Sequence, residues 1–292
     1  MIERLNNSLE KPKDMQSTML LIKSLLNSFT KTEVKVAEYV LSNIEDIIYI
    51  SVTELAEKAN VGETTVLRFC RKLKFKGFQD FKISLARSTN QLPKSSQEIK
   101  YDDSAQALRD KLIQSQIKVM EDMRSLLDYT KLELAIDLLI NAYAIQFYGV
   151  GTSNLTAAQG AHSFMRIGKS SDAKQDVHFQ AMSTALLTEN DVAIGISVSG
   201  ETKDTVENLK LAKQAGAKTI CITSNARSPI TTVADIVLLT PTKENPLHGS
   251  SMSSKIAQLS ILDILYTGVF LRTGDALEFR EKTAKAVSTK LQ

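Results

Sequence analysis

One short stretch of this 292-residue chain gathers hydroxyl groups in a pattern suited to holding an oxyanion. Ser197-Val-Ser199-Gly200-Glu201-Thr202-Lys203-Asp204-Thr205 follows an apolar run, Val192–Ser197, and opens a helical pattern near Lys203. Ser197, Ser199 and Thr202 can donate O–H bonds. The backbone N–H groups of a helix start point outward, at the positive end of the helix dipole. Together they match the three free oxygens of a phosphate. A plain helix cap needs one hydroxyl, and this turn offers four in nine residues.

A second turn of the same kind is Gly149-Val-Gly151-Thr152-Ser153-Asn154, which also leads from an apolar run into a helix. Glycines at such a bend let backbone N–H groups approach an anion. A dinucleotide fingerprint would place a third glycine where Asn154 stands, so no nucleotide cofactor is expected. Thr223-Ser224 supplies a further hydroxyl pair. Ser250, Ser251, Ser253 and Ser254 form a fourth set, just ahead of a helical pattern over Lys255–Phe270.

Acid/base catalysis on a phosphorylated ligand would need a base working near pH 7 beside the reacting group. His162, His178 and His248 are the three histidines, and Glu201 sits in the hydroxyl-rich turn. They form no acid/base pair, so no catalytic residue is assigned, and no metal site is expected. Cys70 and Cys221 lie far apart and read as reduced thiols of a cytoplasmic protein rather than a disulfide framework. The first ten residues are polar, with no apolar signal segment. No apolar run reaches the roughly 18 residues of a membrane span.

These turns need a scaffold, and the apolar runs supply one. Ala144–Val150, Val192–Ser197, Thr219–Thr223 and Ile236–Thr240 are short, continuous and rich in Ile and Val. Long amphipathic stretches separate the first three. Continuous apolar strands alternating with helices predict a parallel sheet covered on both faces, an α/β doubly wound fold. Ligands bind such folds at the carboxyl ends of the strands, where these turns lie. The stretch Ala105–Tyr129 reads as a long helix with apolar Leu108, Leu112, Ile113, Ile117, Met120, Met123, Leu126 and Leu127, expected to pack on the sheet, with a partner subunit as the alternative. Asp275–Leu291 is mostly polar and reads as a cover for a neighbouring subunit.

Upstream the texture differs. Residues 1–88 carry 14 Lys/Arg against 11 Asp/Glu, and residues 68–87 alone hold seven basic side chains against Asp80. Thr30-Lys-Thr-Glu33 forms a capping box. A helix begins at Ser51, with Leu55, Ala56 and Ala59 on one side. Asn60-Val61-Gly62 breaks it, and Glu63–Leu73 makes another helix with Val66, Phe69 and Leu73 inward. Helix, three-residue turn, helix is the helix-turn-helix arrangement. Small Ala56 lets the two helices approach, and Val61 plugs the turn. Glu63, Thr64, Thr65 and Arg68 would then face base edges or nearby phosphates, with Lys72, Lys74 and Lys76 against the phosphate backbone. Phe75, Phe78 and Phe81 read as core rather than as stacking platforms. Residues 89–104 are polar, include Pro93 and read as a linker.

Two sets of motifs then resemble a known family. Val61-Gly-Glu-Thr-Thr-Val-Leu-Arg68-Phe-Cys-Arg-Lys-Leu73, followed by Phe75-Lys-Gly-Phe78, resembles the recognition segment of the RpiR family of transcription regulators. Gly149-x-Gly151-x-Ser153, Ser197-x-Ser199-Gly200-x-Thr202 and Ser254-Lys-Ile-Ala-Gln258-Leu resemble the loops of its SIS (sugar isomerase) domain. Two positions depart from the family pattern: Gly62 stands where Ser is usual, which weakens the helix cap, and Lys255 stands where Arg is usual.

The resemblance implies an all-α helix-turn-helix domain over 1–88, a linker over 89–104 and a flavodoxin-like α/β SIS domain over 105–292. It further implies a sugar-phosphate effector held by Gly151, Thr152, Ser153, Ser197, Ser199, Gly200, Glu201, Thr202, Ser254 and Lys255. The expected partners are a double-stranded DNA operator, read as an inverted repeat by a homodimer or homotetramer. No membrane partner is expected. Two other readings stand beside this one: a phosphosugar isomerase-like enzyme with a fused DNA-binding domain, and a nonspecific DNA-associated protein without a ligand.

Overall fold

The computed structural model describes residues 12, 15–86, 99–100, 102–241, 252–288 and 290. His248, Ser250, Ser251, Arg87 and, within the 89–104 stretch, residues 89–98 and 101 lie outside the described residues. Two compact units are present, and the boundary between them falls at Lys111–Leu112, inside the helix Ala105–Leu126, which is described with the second unit because its last turns pack there.

The first unit is helical. It comprises α1 (Met15–Leu25), a 3-10 turn (Leu26–Ser28), α2 (Lys31–Ser42), a second 3-10 turn (Ile47–Tyr49), α3 (Val52–Lys58), α4 (Glu63–Lys72) and α5 (Phe78–Ala86). Each start has a local cause. Thr30 and Glu33 form the capping box of α2 with both reciprocal bonds made. The Ser51 hydroxyl accepts the Glu54 N–H at 3.0 Å and so caps α3. Asn60 takes a positive φ of 51°, tolerable for Asn, and ends α3. Val61 N–H then bonds the Ala56 carbonyl at 2.9 Å, which turns the chain into α4. Gly62 is the N-cap of α4 and makes no side-chain cap.

Ile22, Val36, Val40, Leu55, Val66, Phe69, Leu73, Phe81 and Leu85 are fully buried in one cluster. Each such side chain contributes about 1.5–3 kcal/mol on leaving water. Phe75, Phe78 and Phe81 are core residues, as their spacing indicated, with Phe75–Phe81 ring centroids 5.3 Å apart.

The second unit is a five-stranded, all-parallel sheet in the order β2-β1-β3-β4-β5. The strands are β1 (Ala144–Tyr148), β2 (Ser170–Asp172), β3 (Val192–Ile196), β4 (Lys218–Thr223) and β5 (Ile236–Leu239). This is the flavodoxin-like doubly wound order, whose topological switch lies between β1 and β3. The helices are α6 (Ala105–Leu126), α7 (Tyr129–Asn141), α8 (Thr152–Met165), α9 (Val177–Thr184), α10 (Lys203–Gln214), α11 (Pro229–Val233), α12 (Met252–Arg272) and α13 (Ala276–Ser288).

Alternation along the strands divides the core. Ile145, Phe147, Ile194, Ile220 and Leu238 pack with Leu139 of α7, Phe164 of α8 and Ile261 and Leu265 of α12. Tyr148, Ala193 and Cys221 point the other way, against Leu209 and Ala212 of α10 and Ile230 of α11. Strand β2 was not foreseen: it is three polar residues at the sheet edge, too short and too hydrophilic to read as a strand.

Three helices differ from expectation. Along α6 the structure buries Met123 alone, while Leu112, Ile113, Ile117 and Met120 are 40–48% exposed, so only its last turns pack on the core. Helix α13 seats Phe279 against Gly168 of its own chain, instead of serving only as a cover for another. Among the described residues α12 is long and apolar enough to cross a membrane, which revises the expectation that no segment reaches that length. Ala257, Gln258, Ile261, Leu262, Leu265 and Val269 are its buried face, and this makes it a core helix of the α/β unit. The thiols of Cys70 and Cys221 are free and buried. Burial pushes both up, Cys221 to about 12, so neither forms thiolate near neutrality.

Candidate functional site

In the first unit the candidate site is the outer face of α4. Thr64, Arg68 and Arg71 are exposed at i, i+4 and i+7 and share one side of the helix. Lys74 and Lys76 follow, also exposed. Arg71 belongs to this face although the sequence reading gave it no role; its helical spacing from Arg68 was the available signal. Glu63 accepts the Thr53 hydroxyl at 2.6 Å, which ties the first turn of α4 to the first turn of α3.

Two expected contact residues make contacts inside the unit. Thr65 is only 6% exposed because it lies four residues before Phe69, on the buried side. Its hydroxyl accepts a long 3.5 Å contact from Arg68 instead of facing outward. Lys72 turns away from the outer face: its Nζ lies 2.7 Å from Glu33 Oε2 and 3.2 Å from the Ser28 carbonyl. Lys82, counted in the basic run, is also buried and donates to the Ile50 carbonyl at 3.1 Å.

The second unit builds its site at the switch point. The turns after β1 and β3 leave adjacent parallel strands, so they emerge side by side at the same sheet edge. Each opens a helix whose N-cap makes no side-chain cap: Gly151 for α8 and Thr202 for α10. Thr202 is the telling case. Its hydroxyl pairs with that of Ser197 at 3.0 Å rather than with the helix N–H groups. Ser197 is 2% exposed and also accepts the Gly200 N–H at 3.0 Å. The Ser199 hydroxyl accepts the Glu201 N–H at 3.2 Å.

The turn is braced from β4. Ser224 Oγ donates to the Val198 carbonyl at 2.8 Å and Asn225 Nδ2 to the Ser199 carbonyl at 3.0 Å. Gly200 has φ of 69°, and a Cβ there would stand 2.1 Å from the buried Ser228 Oγ. Gly149 is needed for close approach, since a Cβ would lie 2.7 Å from the Ser153 backbone.

A buried amide network fixes the β1 turn, and its members carried no signal in sequence. Asn154 Nδ2 and Gln180 Nε2 both donate to the Gly149 carbonyl at 3.1 Å, and both reach the Lys174 carbonyl. Asn208 of α10 donates to Gln180 Oε1 at 3.0 Å and so links the β1 turn to the helix that follows β3. Asn154, read only as a missing glycine, is thus a brace.

Lys255 comes across from α12 to the same place. Its Nζ donates to the Thr152 carbonyl and, at 3.0 Å, to Thr156 Oγ1, which in turn bonds Gln258. A groove of about 720 Å³ runs from Thr152 and Lys255 between α8 and α12, past Leu155, Met252 and Leu259. Of the expected set, Gly151, Thr152, Ser153 and Lys255 gather at the β1 turn, and Ser197, Ser199, Gly200, Glu201 and Thr202 at the β3 turn. Ser254 is 1% exposed, on the buried side of α12. His162 and His178 are exposed on α8 and α9.

Comparison with known proteins agrees with this fold. Residues 16–92 match the helix-turn-helix domain of the rpiR family, and residues 138–268 match the SIS domain. An uncharacterized HTH-type transcriptional regulator of Haemophilus influenzae is 40% identical over 91% of this chain and 94% of its own. Another from Caldanaerobacter subterraneus is 36% identical over 94% of this chain and 98% of its own. Among solved structures, the Vibrio vulnificus NanR protein, complexed with ManNAc-6P, superposes with a TM-score of 0.84 at 26% identity, covering 94% of this chain and 99% of that one. With its helix-turn-helix unit, its parallel α/β unit and relatives matched along nearly their whole length, the chain belongs to the RpiR family of HTH-type transcriptional regulators carrying a SIS domain.

Proposed function

We propose that the SIS unit of this regulator binds a sugar-phosphate effector, and that occupancy of that site adjusts the affinity of the helix-turn-helix unit for a DNA operator. The observation that carries the reading is the pair of uncapped helix N-termini at adjacent strand ends. Helix α10 has no side-chain cap from Thr202, and the turn that leads into it carries the hydroxyls of Ser197, Ser199 and Thr202. An anion is the partner such an end favours. NanR bound to ManNAc-6P supports a phosphorylated sugar as the class.

The effector set is Gly151, Thr152, Ser153, Ser197, Ser199, Gly200, Glu201, Thr202 and Lys255, with Ser254 in support from behind. On the DNA side Thr64, Arg68 and Arg71 read the groove, and Lys74 and Lys76 meet phosphates. The working division is 1–88 for DNA, 89–104 as linker and 105–292 for effector. The protein works in the cytoplasm as a homodimer or homotetramer on an inverted repeat, without catalysing a reaction. The effector moves operator affinity only by its differential affinity for the two DNA-binding states.

A thermal-shift screen with phosphorylated sugars tests the site, because a ligand that binds only the folded state raises Tm. In the responding sugar, Ser199→Ala weakens effector affinity roughly 10- to 100-fold, the value of one hydrogen bond to a charged group. Operator binding without sugar stays as in the parent. An unchanged sugar titration in Ser199→Ala would refute the assignment, and turnover of the sugar phosphate would favour the isomerase reading.

A further inference from the structure

The contacts of Lys72 point to a role different from phosphate binding. We propose that Glu33 and Lys72 form a clamp that sets the roll of α4, which makes Glu33 a positioning residue for operator discrimination although it lies off the DNA-facing surface. This rests on α4 being the recognition helix.

The clamp is built from three independent contacts. The Glu33 side chain is 3% exposed, and its Oε2 gathers three donors: Lys72 Nζ at 2.7 Å, the Thr30 N–H at 2.8 Å and the Thr30 hydroxyl at 3.0 Å. Lys72 also donates to the Ser28 carbonyl at 3.2 Å, which closes the 3-10 turn ahead of α2. Its Nζ lies 5.7 Å from the centre of the Phe29 ring, and Phe29 in turn packs on Phe69 of α4 at 5.2 Å. The last turn of α4 is therefore held to the start of α2 on its apolar side by Phe29 and at its edge by the ion pair.

Burial alone would raise the Glu33 carboxyl. The bonds from Lys72 and Thr30, with the Lys72 charge, outweigh it and hold the group below its ordinary range, so it is ionised near neutrality. A nearly buried carboxylate that lost this cation would keep only the two Thr30 donors, so the ion pair is favoured and holds Lys72 in place.

Roll matters because of lever length. Side chains reach a radius of about 5–6 Å from a helix axis, so a roll of ~10° moves their tips by about 1 Å. Base-edge hydrogen bonds work only over a span of about 0.5 Å. The contacts between α3 and α4 at Ala56 and Val61 fix where the helices cross. The clamp adds the third point that fixes rotation. Phosphate contacts made by long, flexible Lys74 and Lys76 tolerate the same shift. Loss of the clamp therefore costs selectivity before it costs affinity for DNA in general.

The test uses the full chain and two duplexes, one selected by the parent protein from a random-sequence pool and one unrelated duplex of equal length. Binding is measured by fluorescence anisotropy over a range of salt for the parent, Glu33→Gln, Lys72→Met and the double variant, with thermal melts alongside. Lys72→Met keeps the stem of an exposed side chain and leaves Glu33 capped by Thr30, so it reads out the clamp even where Glu33→Gln melts too low to measure. The expected result is a loss of roughly tenfold or more on the selected duplex for each single variant, and less than about twofold on the unrelated one. The double variant is no worse than the poorer single, and the salt slope is unchanged.

Equal loss on both duplexes with a salt slope reduced by about one for Lys72→Met would make Lys72 a phosphate contact and overturn the clamp. So would selectivity equal to the parent's in either single variant. A parent that selects no sequence at all would overturn the recognition-helix reading itself, a separate outcome.

Discussion

Replacing Arg68 with alanine removes the discrimination between operator and unrelated DNA. Arg68 is exposed on the outer face of α4, flanked at helical spacing by Thr64 and Arg71. A guanidinium is the side chain best matched to a base edge, and one well-placed bidentate pair is worth about 1–3 kcal/mol of discrimination. Each recognition helix in the variant therefore loses roughly 5- to 150-fold in selective affinity, and two helices on an inverted repeat compound the loss. Binding to random duplex falls far less, since Arg71, Lys74 and Lys76 still supply the salt-dependent attraction. Gel-shift titration on selected and random duplexes checks both halves of the prediction. Parental selectivity in Arg68→Ala would show that another surface reads the sequence.

The second large effect belongs to Gly200→Val. At φ of 69° a β-branched residue is strained, and the new Cβ would sit 2.1 Å from Ser228 Oγ. Ser228 cannot give way easily: it is fully buried and donates to the Asn225 carbonyl at 2.9 Å, while Asn225 holds the Ser199 carbonyl. Relief of the clash displaces the whole turn, along with the α10 N-terminus that it aims. The expected cost is of order 2–4 kcal/mol in the stability of the second unit. Sugar-phosphate response drops by more than about 100-fold, once several contacts of one site are lost together. Operator binding in the absence of sugar persists, because the first unit has its own core. The thermal-shift screen and the operator titration, run in parallel, decide it. A normal sugar-induced shift in Gly200→Val would place the effector elsewhere.

Sequence made much of this visible because the physics was local. Strands β1, β3, β4 and β5 stood out because a sheet covered on both faces favours mostly apolar runs, and these are rich in Ile and Val with few polar interruptions such as Gln146. The Thr30–Glu33 capping box and the Ala56–Gly62 turn were legible because each is decided within a few residues. Strand β2 escaped because Ser-Ser-Asp at an edge is held by its neighbour's backbone, not by its own composition.

Longer range brought the other surprises. A basic run does not say which cation has a carboxylate 39 residues upstream, so the bond of Lys72 to Glu33 was not foreseen. The Asn154–Gln180–Asn208 network spans 54 residues and joins three helices, and nothing in any one of them announces it. Thr65 could have been placed correctly, since its offset of four from Phe69 already put it inside.

Both thiols of the folded chain, Cys70 and Cys221, are sealed from solvent and held in the unreactive protonated form. The native protein is therefore a blank for maleimide chemistry. One cysteine introduced at exposed Thr64 and one at exposed His178 would each accept a dye without any native residue having to be removed first. Energy transfer between the two dyes would then follow the separation of reader and sensor, molecule by molecule, as the sugar is titrated in.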